Sequence, residues 1–172
     1  MGTALPTETG FDLFYRVHRP RLVATLNAAS RCGADAATDA VDEAFVRALA
    51  HWHRVQRMEA PAGWVFTVAR NQLRRTRSRK VVEQQLVQRA AGTDAGAAAD
   101  PANWELWDAV SALPERERTA VALRYLADMT EKQVAETMGI APGTVAATLH
   151  AARKHLAERL SEPMEVIRDG RA

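Results

Sequence analysis

Residues 130–156 read TEKQVAETMGIAPGTVAATLHAARKHL and decide the fold of the C-terminal half. Thr130 and Gln133 have the spacing of a capping box, which predicts that a helix starts there. Gly139 predicts the end of that helix, and Pro142 predicts the start of a longer one. A short helix, a tight turn and a longer helix form the helix-turn-helix arrangement, whose second helix fits a DNA major groove. An ordinary helical hairpin is the alternative that this pattern leaves open.

Apolar residues at helical spacing continue through the rest of this half. Leu113, Pro114 and Glu115 predict the start of a preceding helix that runs to about Ala127. The residues expected to face inward in the helix-turn-helix are Val134, Ala135, Met138, Val145, Leu149, Ala152, Leu156 and Leu160. Trp104, Leu106 and Trp107 open the module.

The N-terminal half also predicts helices. The first spans Phe11 to Ala29, and Pro20 within it predicts a kink or the start of a second helix. Residues 30–38 are predicted to form a loop, and residues 53–60 are predicted to form a basic loop. Pro61 predicts the first position of a further helix. The helix between the loops has one apolar stripe, formed by Val41, Ala44, Phe45, Ala48, Leu49 and Trp52, with Asp39, Asp42 and Glu43 in its first turns.

Charge is unevenly distributed along the 172 residues, although the chain as a whole carries only +2. Residues 1–80 hold 13 basic and 7 acidic side chains, and residues 114–172 hold nine of each. The basic excess peaks in residues 70–80, RNQLRRTRSRK, which contain six basic residues and no acid. A run of this kind is usually only a solvated face. On the helix that follows Pro61, however, these arginines lie opposite an apolar face, which makes the helix a better candidate for phosphate binding than the charge count alone.

The segment from Arg89 to Asn103 separates the two halves. It reads RAAGTDAGAAADPAN and has no large apolar residue, so it predicts a flexible linker. The chain is therefore expected to be all-α, with two small helical domains at 11–85 and 104–162 joined by a linker at 86–103.

Several classes are excluded by composition and motif. One cysteine rules out an internal disulfide framework and a multi-cysteine zinc site, and we assign no role to Cys32. No apolar run approaches the length of a membrane span, and the N-terminus lacks the pattern of a secretory signal, so a cytoplasmic protein is expected. No nucleophile–base constellation, phosphate loop or metal-ligand cluster occurs, so neither an enzyme, a cofactor nor a small-molecule substrate is predicted.

Three stretches together resemble the sigma-70 family, specifically the small extracytoplasmic-function (ECF, group IV) class of RNA polymerase sigma factors. DAVDEAFVRALAHW (39–52) is similar to region 2.2 of that family. GWVFTVARNQLRRTRSR (63–79) is similar to regions 2.3–2.4, and residues 113–156 are similar to region 4 with its helix-turn-helix. The resemblance implies promoter recognition and transcription initiation together with core RNA polymerase.

The resemblance implies that the 39–52 helix docks on the β′ clamp helices of core polymerase, while the β flap is a further expected contact. The positions that match the family's polymerase-binding residues are Asp39, Asp42, Glu43, Phe45 and Arg47. Glutamine is frequent in the family where this chain has Asp42. For Phe45 packing in the hydrophobic core is the alternative, and Glu43 and Arg47 have the spacing of a pair along the helix.

The resemblance also implies that the N-terminal domain recognises and melts the minus-10 promoter element. Strand opening needs a basic track for the backbone and a pocket for an unstacked base. The track consists of Arg70, Arg74, Arg75 and Arg77, and Asn71 matches a family position close to the minus-10 bases. Residues 54–60 match the loop that captures a flipped base, and Trp64 matches a family aromatic whose alternative role is core packing.

Minus-35 recognition is implied for the helix that starts at about Pro142, where the chain departs from the family. The usual G-T-V-[KR]-S-R-x-x-R-A-R is replaced by GTVAATLHAAR, so Ala146, Ala147, Thr148 and Ala151 stand for three basic residues and a serine. The remaining polar contacts are Thr144, His150, Arg153 and Lys154. This loss is expected to flatten the salt dependence of binding by roughly 2–3 units of slope.

Sigma factors of this class are usually kept inactive by a dedicated anti-sigma factor, so the resemblance also implies such a partner. Trp104 and Trp107 are candidates for contact with that partner, and packing in the hydrophobic core is the alternative role for both. Two other readings remain open. One is a two-domain helix-turn-helix regulator with a ligand-sensing N-terminal half. The other is a sigma-like adaptor that binds polymerase and reads promoters weakly, which the alanine-rich recognition helix allows.

Overall fold

The computed structural model describes the backbone of residues 10–87 and 104–161 and the side chains of residues 10–78 and 105–161. Within these ranges the backbone is helical and forms no strand, so the predicted all-α class is confirmed. The helices are α1 (Gly10–Ser30), α2 (Ala34–Ala50), α3 (Trp52–Val55), α4 (Pro61–Val87), α5 (Trp104–Ala112), α6 (Glu115–Val121), α7 (Glu131–Met138) and α8 (Pro142–Ser161), with a π-helical turn over Ala122–Leu126. Of the predicted linker, residues 86 and 87 end α4, and residues 88–103 lie outside the described residues.

The N-terminal domain, α1 to α4, is built around α2, which packs against both α1 and α4. Phe45 is only 2% exposed. Its ring meets Phe11, Phe14 and Tyr15 edge-on at centroid distances of 6.3, 5.7 and 5.0 Å, a favoured arrangement of aromatic rings. Phe45 is therefore a residue of the hydrophobic core.

Three boundaries in this domain differ from the sequence expectation. The loop predicted at 53–60 begins with helix, because α3 covers Trp52–Val55. α1 continues through Pro20, so the prediction of a second helix there is wrong. Pro20 is exposed, where water can bond the carbonyl that its missing N–H leaves unpaired. α2 begins at Ala34, so most of the loop predicted at 30–38 is helix. Gly33 with φ 85° makes the sharp entry into α2, and the alanine-rich residues that follow favour helix.

Short-range signals in the C-terminal domain, α5 to α8, are confirmed. The Thr130 N–H donates to Gln133 Oε1 at 3.0 Å, and the Gln133 N–H donates to Thr130 Oγ1 at 3.2 Å, which completes the capping box of α7. Gly139 ends α7 with φ 65°, and α8 starts at Pro142. The helix-turn-helix is therefore present in the order predicted.

Two leucines assigned to inward stripes are exposed. Leu49 is 57% exposed because it lies to one side of the buried stripe of α2, just before the helix ends. Leu160 is 48% exposed because it lies in the last turn of α8, beyond Leu156, which still packs against the hydrophobic core. Both positions follow the helical period, but within residues 10–87 and 104–161 no helix covers them.

The two domains pack directly on each other. α1 contacts α6 and the π-helical turn, and α4 contacts α7, so one cluster of buried residues extends through both domains. Gln133 Nε2 donates to the Glu59 carbonyl at 3.3 Å, and Lys132 Nζ lies 2.9 Å from Glu59 Oε1. A Cβ added at Gly63 would lie 2.0 Å from Thr137 Oγ1, so α7 rests against the backbone of α4.

Candidate nucleic-acid interface

The arginine face of α4 consists of Arg70, Asn71, Arg74, Arg75 and Arg77. Val65, Phe66, Ala69 and Leu73 pack into the hydrophobic core. Arg70 and Arg77 follow Phe66 and Leu73 by about one turn and therefore border this apolar side. Because that apolar face fixes the rotation of α4, the polar side chains are held on the outside over two turns. Asn71, Arg74, Arg75 and Arg77 are exposed, whereas Arg70 is half-buried.

One carboxylate of the other domain binds two of these arginines. Arg70 Nη2 donates to Glu115 Oε1 at 2.6 Å, and Arg74 Nη2 donates to the same oxygen at 3.3 Å. Hydrogen bonding from Arg70 is the main cause that holds the pKa of Glu115 below its usual range, with Arg74 contributing. Glu115 was not predicted, because nothing local in the sequence connects position 115 with position 70.

Arg77 contributes to the turn between α1 and α2. Its Nη2 donates to the carbonyls of Ser30 and Arg31 at 3.0 and 3.2 Å. Cys32 lies beside this turn, and burial raises the pKa of its thiol. A protonated thiol is a poor nucleophile.

Arg118 is a second residue that sequence reasoning missed. It is 9% exposed and hydrogen-bonds backbone carbonyls rather than a carboxylate. Its Nε donates to Ala29 O at 3.1 Å, while Nη1 donates to Leu113 O at 2.7 Å and to Ser111 O at 3.3 Å. Burial lowers the pKa of this guanidinium, and Arg31 adds to the shift.

A cleft of about 210 Å³ lies between the domains at this point. Its walls carry four arginines and one acid, namely Arg70, Arg74, Arg77, Arg118 and Glu115. Such an excess of guanidinium groups favours an anionic occupant.

The outward face of α8 carries small side chains and little charge. Thr144, Ala146, Ala147 and His150 are exposed, and the helix packs against α5, α6 and α7 of its own domain. Arg153 is exposed but its Nε donates to Leu149 O at 3.2 Å, and Lys154 Nζ lies 3.9 Å from Glu158 Oε1. The two positive charges thus stand towards the end of the helix, whereas exposed alanines occupy its beginning.

Most of the polar residues proposed for polymerase binding on α2 already have partners. Arg19 binds both carboxylate oxygens of Asp42 at 2.6 Å. Arg47 Nη2 lies 3.1 Å from Glu43 Oε1, so the predicted pair along the helix is present. Asp39 is exposed.

An apolar surface accompanies them on α2. Val46 is 65% exposed and Leu49 57% exposed. Val46 follows Asp39 by two helical turns and therefore lies on the same side of α2. The exposure of Leu49 cannot be read from the sequence, because Leu49 has the spacing of the apolar stripe, whereas Val46 lies outside that stripe.

Family models match both domains. The model described as Sigma-70 region 2 matches residues 14–81, and the model described as Sigma-70, region 4 matches residues 103–156. The ECF RNA polymerase sigma factor SigL of Mycobacterium tuberculosis is 34% identical over 136 residues, which cover 73% of this chain and 75% of SigL.

The chain belongs to the ECF RNA polymerase sigma factors. The predicted family is therefore confirmed. As an ECF sigma factor it binds core RNA polymerase and directs promoter recognition and transcription initiation. The reading as a ligand-sensing regulator is excluded, because the N-terminal domain is sigma region 2.

Solved structures share the fold of this ECF sigma factor. The sigma factor RpoE in complex with the anti-sigma factor NepR, from Bartonella quintana, superposes with a TM-score of 0.67 at 23% identity, covering 87% of this chain and 96% of that one. CnrH in complex with the cytosolic domain of CnrY gives a TM-score of 0.59 at 19% identity, covering 87% and 86%. The likeness extends over both domains.

Two further observations concern the described part of this sigma factor. No group of three His, Cys, Asp or Glu side chains among those residues could hold a metal ion. None of the helices within residues 10–87 and 104–161 is both long enough and apolar enough to cross a membrane.

Trp64 and Trp107 are half-buried, with Trp64 packed against the hydrophobic core.

Proposed function

We propose that the arginine face of α4 is the minus-10 DNA contact of this sigma factor. The observation that carries the proposal is the location of arginines over two turns of one helix whose rotation is fixed by a buried apolar face. Arg70, Arg74, Arg75 and Arg77 bind the phosphates of the opened strand, and Asn71 reads a base edge with its amide. The loop at 54–60 receives the flipped base.

Arg75→Ala is the sharpest test of this surface, because Arg77 also holds a turn and Arg70 and Arg74 also bind Glu115. The variant is assembled with core polymerase on a promoter fragment selected by run-off transcription of genomic DNA, and open-complex formation is followed as salt is raised. Loss of one phosphate contact lowers the salt slope by about 1 unit and weakens binding on all promoters. Arg159→Ala is the matched control, because Arg159 is an exposed arginine that pairs with Asp108 in the last turn of α8 and is not among the proposed minus-35 residues. Equal behaviour of the two variants would remove α4 from the DNA interface.

We propose that α8 makes the minus-35 contact through Thr144, His150, Arg153 and Lys154. With alanines at the exposed positions 146 and 147, this contact has few phosphate anchors, so the affinity of region 4 for duplex DNA is low and depends weakly on salt. A sigma-like adaptor that reads promoters weakly is the second candidate function, favoured by the same alanines. Run-off transcription with core polymerase on genomic fragments distinguishes a sigma factor from such an adaptor. A chain that binds core polymerase but yields no transcript is an adaptor.

We propose that α2 docks on the β′ clamp helices through Asp39, Glu43 and Arg47, with Val46 between them as an apolar anchor. Asp42 acts by fixing Arg19, and Phe45 supports the helix from the hydrophobic core. The β flap is expected to bind region 4. The surface residues have in common that they lie on the open side of α2, away from α1 and α4.

Val46→Ser tests the α2 surface. Removal of an apolar side chain that becomes buried on binding costs about 1–2 kcal/mol, or roughly 5- to 30-fold in affinity for core polymerase. Leu160→Ser is the matched control, because Leu160 is similarly exposed on the other domain. The affinities are measured by fluorescence titration of labelled chain with purified core polymerase, and unchanged binding of Val46→Ser would place the interface elsewhere.

We also propose that an anti-sigma factor regulates this chain, since the structural neighbour RpoE is bound to the anti-sigma factor NepR. The functional division is region 2 at 11–85, a linker at 86–103 and region 4 at 104–162. The chain acts in the cytoplasm, where its polymerase works, and contributes binding rather than catalysis. Copurification from the native cell tests the partner, because an anti-sigma factor is expected in stoichiometric amount with the inactive chain.

A further inference from the structure

The cleft of about 210 Å³ between α1, α4 and α6 carries more positive charge than its single acid can balance. We propose that this arginine cleft is a binding site for a small anion with two adjacent phosphoryl groups, a diphosphate. The site lies beside the proposed DNA contact of α4 and does not depend on that contact. The polar residues that line the arginine cleft are Ser30, Arg70, Arg74, Arg77, Glu115 and Arg118.

The four guanidinium groups are held as two separate pairs. Arg70 and Arg74 converge on Glu115 Oε1, with distances of 2.6 and 3.3 Å from their Nη2 atoms. Arg77 and Arg118 instead donate to successive carbonyls at the end of α1, at 3.0 and 3.1 Å. Arginine forms its strongest hydrogen bonds with carboxylates and phosphates. Two separate pairs of guanidinium groups therefore suit an anion with two charged groups better than an anion with one.

The spacing of the arginines on α4 determines which of them face the cleft. Arg70, Arg74 and Arg77 follow one another at intervals of four and three residues, so they share one side of the helix. Arg75 lies on the same helix but is rotated by roughly 100° or more from each of them, at about 3.6 residues per turn. Arg75 accordingly does not line the arginine cleft, although it is exposed and carries the same charge.

Arg118 contributes a buried charge to the cleft. It is 9% exposed, and its hydrogen bonds to the described residues all go to backbone carbonyls. Burial lowers the pKa of this guanidinium and Arg31 lowers it further, while Glu115 acts in the opposite direction. Buried charges in proteins are normally paired with an opposite charge. An anion in the cleft would supply the opposite charge that Arg118 does not receive through a hydrogen bond.

The cleft has both donors and space for such a ligand. Between described residues, Arg70, Arg74 and Arg77 donate hydrogen bonds only from Nη2, whereas a guanidinium carries five N–H groups. The volume of 210 Å³ corresponds to about seven water molecules at about 30 Å³ each. Pockets for larger organic ligands have about 300–1,000 Å³, so the cleft holds a diphosphate group without any attached nucleoside.

Isothermal titration calorimetry of the full chain with inorganic pyrophosphate, without divalent cations, tests the site. Sodium sulfate and orthophosphate are compared at the same ionic strength. We expect saturable binding of pyrophosphate and at least about ten-fold weaker binding of the other two anions, because each of them engages only one pair of guanidinium groups. Absence of saturable binding up to about 1 mM pyrophosphate, or equal affinity for all three anions, would overturn the proposal.

ADP carries the same diphosphate group on a nucleoside, so it distinguishes the two sources of the ligand. Tighter binding of ADP than of pyrophosphate would assign the group to a nucleotide whose nucleoside lies outside the cleft. Weaker binding of ADP would assign it to free diphosphate.

Ser30→Asp and Ser30→Asn form a matched pair at the wall of the cleft. The two replacements have nearly the same size and differ by one negative charge, and neither removes an arginine. Ser30→Asp should weaken pyrophosphate binding at least about ten-fold, because its carboxylate repels the ligand and takes up guanidinium donors. Ser30→Asn should stay within about three-fold of the wild type, since it adds no charge. Equal pyrophosphate affinity of the two variants would place the anion elsewhere.

Glu115→Gln should act in the opposite direction. It keeps the shape of the side chain but removes the carboxylate that competes for Arg70 and Arg74, so pyrophosphate should bind about three- to ten-fold more tightly. A merely structural role of Glu115 would weaken binding or leave it unchanged, and either result counts against the site.

Arg75→Ala separates this proposal from the DNA contact of α4. Its pyrophosphate affinity should stay within about two-fold of the wild type, because salt screens an exposed charge outside the cleft. If Arg75→Ala leaves DNA binding unchanged while Ser30→Asp loses pyrophosphate, the DNA contact is wrong and the anion site stands. If Ser30→Asp binds pyrophosphate like the wild type while Arg75→Ala loses DNA binding, the anion site is wrong and the DNA contact stands.

Discussion

Replacing Arg118 by methionine should strongly destabilise the folded chain. Methionine keeps a long apolar stem but donates no hydrogen bond, so three carbonyl oxygens at 2.7, 3.1 and 3.3 Å lose their partner. Ala29 is next to the last residue of α1, so its carbonyl accepts no hydrogen bond within that helix. The guanidinium of Arg118 supplies the hydrogen bond instead.

The size of the effect follows from these contacts. Each lost hydrogen bond costs about 1 kcal/mol or more when its acceptor stays buried. Release of a buried charge, whose desolvation is visible in the lowered pKa of Arg118, offsets part of that loss. We expect the free energy of unfolding to fall by about 2–4 kcal/mol, which for a urea slope of about 2 kcal/mol/M moves the midpoint by roughly 1–2 M.

Urea unfolding followed by circular dichroism and tryptophan fluorescence measures this change. Arg116→Met is the matched control, because Arg116 lies on the same helix, carries the same charge and is exposed. Its effect should stay within about 0.5 kcal/mol. If the two variants unfold at the same urea concentration, the hydrogen bonds of Arg118 contribute nothing to stability and the reasoning is refuted.

Two further predictions concern charge. The double variant Ala146→Arg, Thr148→Arg restores two phosphate-binding side chains on α8, so it should bind duplex minus-35 DNA more tightly than the wild type. In anisotropy titrations the salt dependence of its affinity should be steeper by about 2 units of slope. Unchanged affinity and slope would argue against docking of α8 on minus-35 DNA. Burial, with a smaller contribution from Arg21, lowers the pKa of His18 from 6.5. The folded chain therefore disfavours protonated His18, and the free energy of unfolding should fall as pH decreases below about 6.5. In His18→Gln that part of the pH dependence should disappear, and an identical profile for both proteins would show that His18 does not cause it.

Features that depend on neighbours in sequence were predictable. The capping box of Thr130 and Gln133, the left-handed Gly139 and the helix starts at Pro61 and Pro142 act over a few residues, and all four are present as expected. The same holds for the arginine face of α4, because one helical period assigns polar and apolar residues to opposite sides. The same residues contribute to the stretches that resemble sigma regions 2 and 4.

Features that depend on tertiary packing were not predictable. Leu49 has the helical period of a core residue, and only the positions of α1 and α4 reveal that it stays exposed among the described residues. The pairing of Glu115 with Arg70 and the fit of Thr137 against Gly63 join residues more than 40 positions apart. No local pattern reports such contacts, and for this reason the packing of the two domains appears only in the structure.

The side-chain amide of Gln133 serves two domains at once, and this sets an evolutionary constraint. Its oxygen completes the capping box, a task that glutamate performs equally well, but only the amide nitrogen can donate to Glu59 O in the other domain. A glutamate here would keep the cap and place a second negative charge beside that of Glu59. The choice of glutamine over glutamate at position 133 is therefore determined by the contact between the domains and not by the cap.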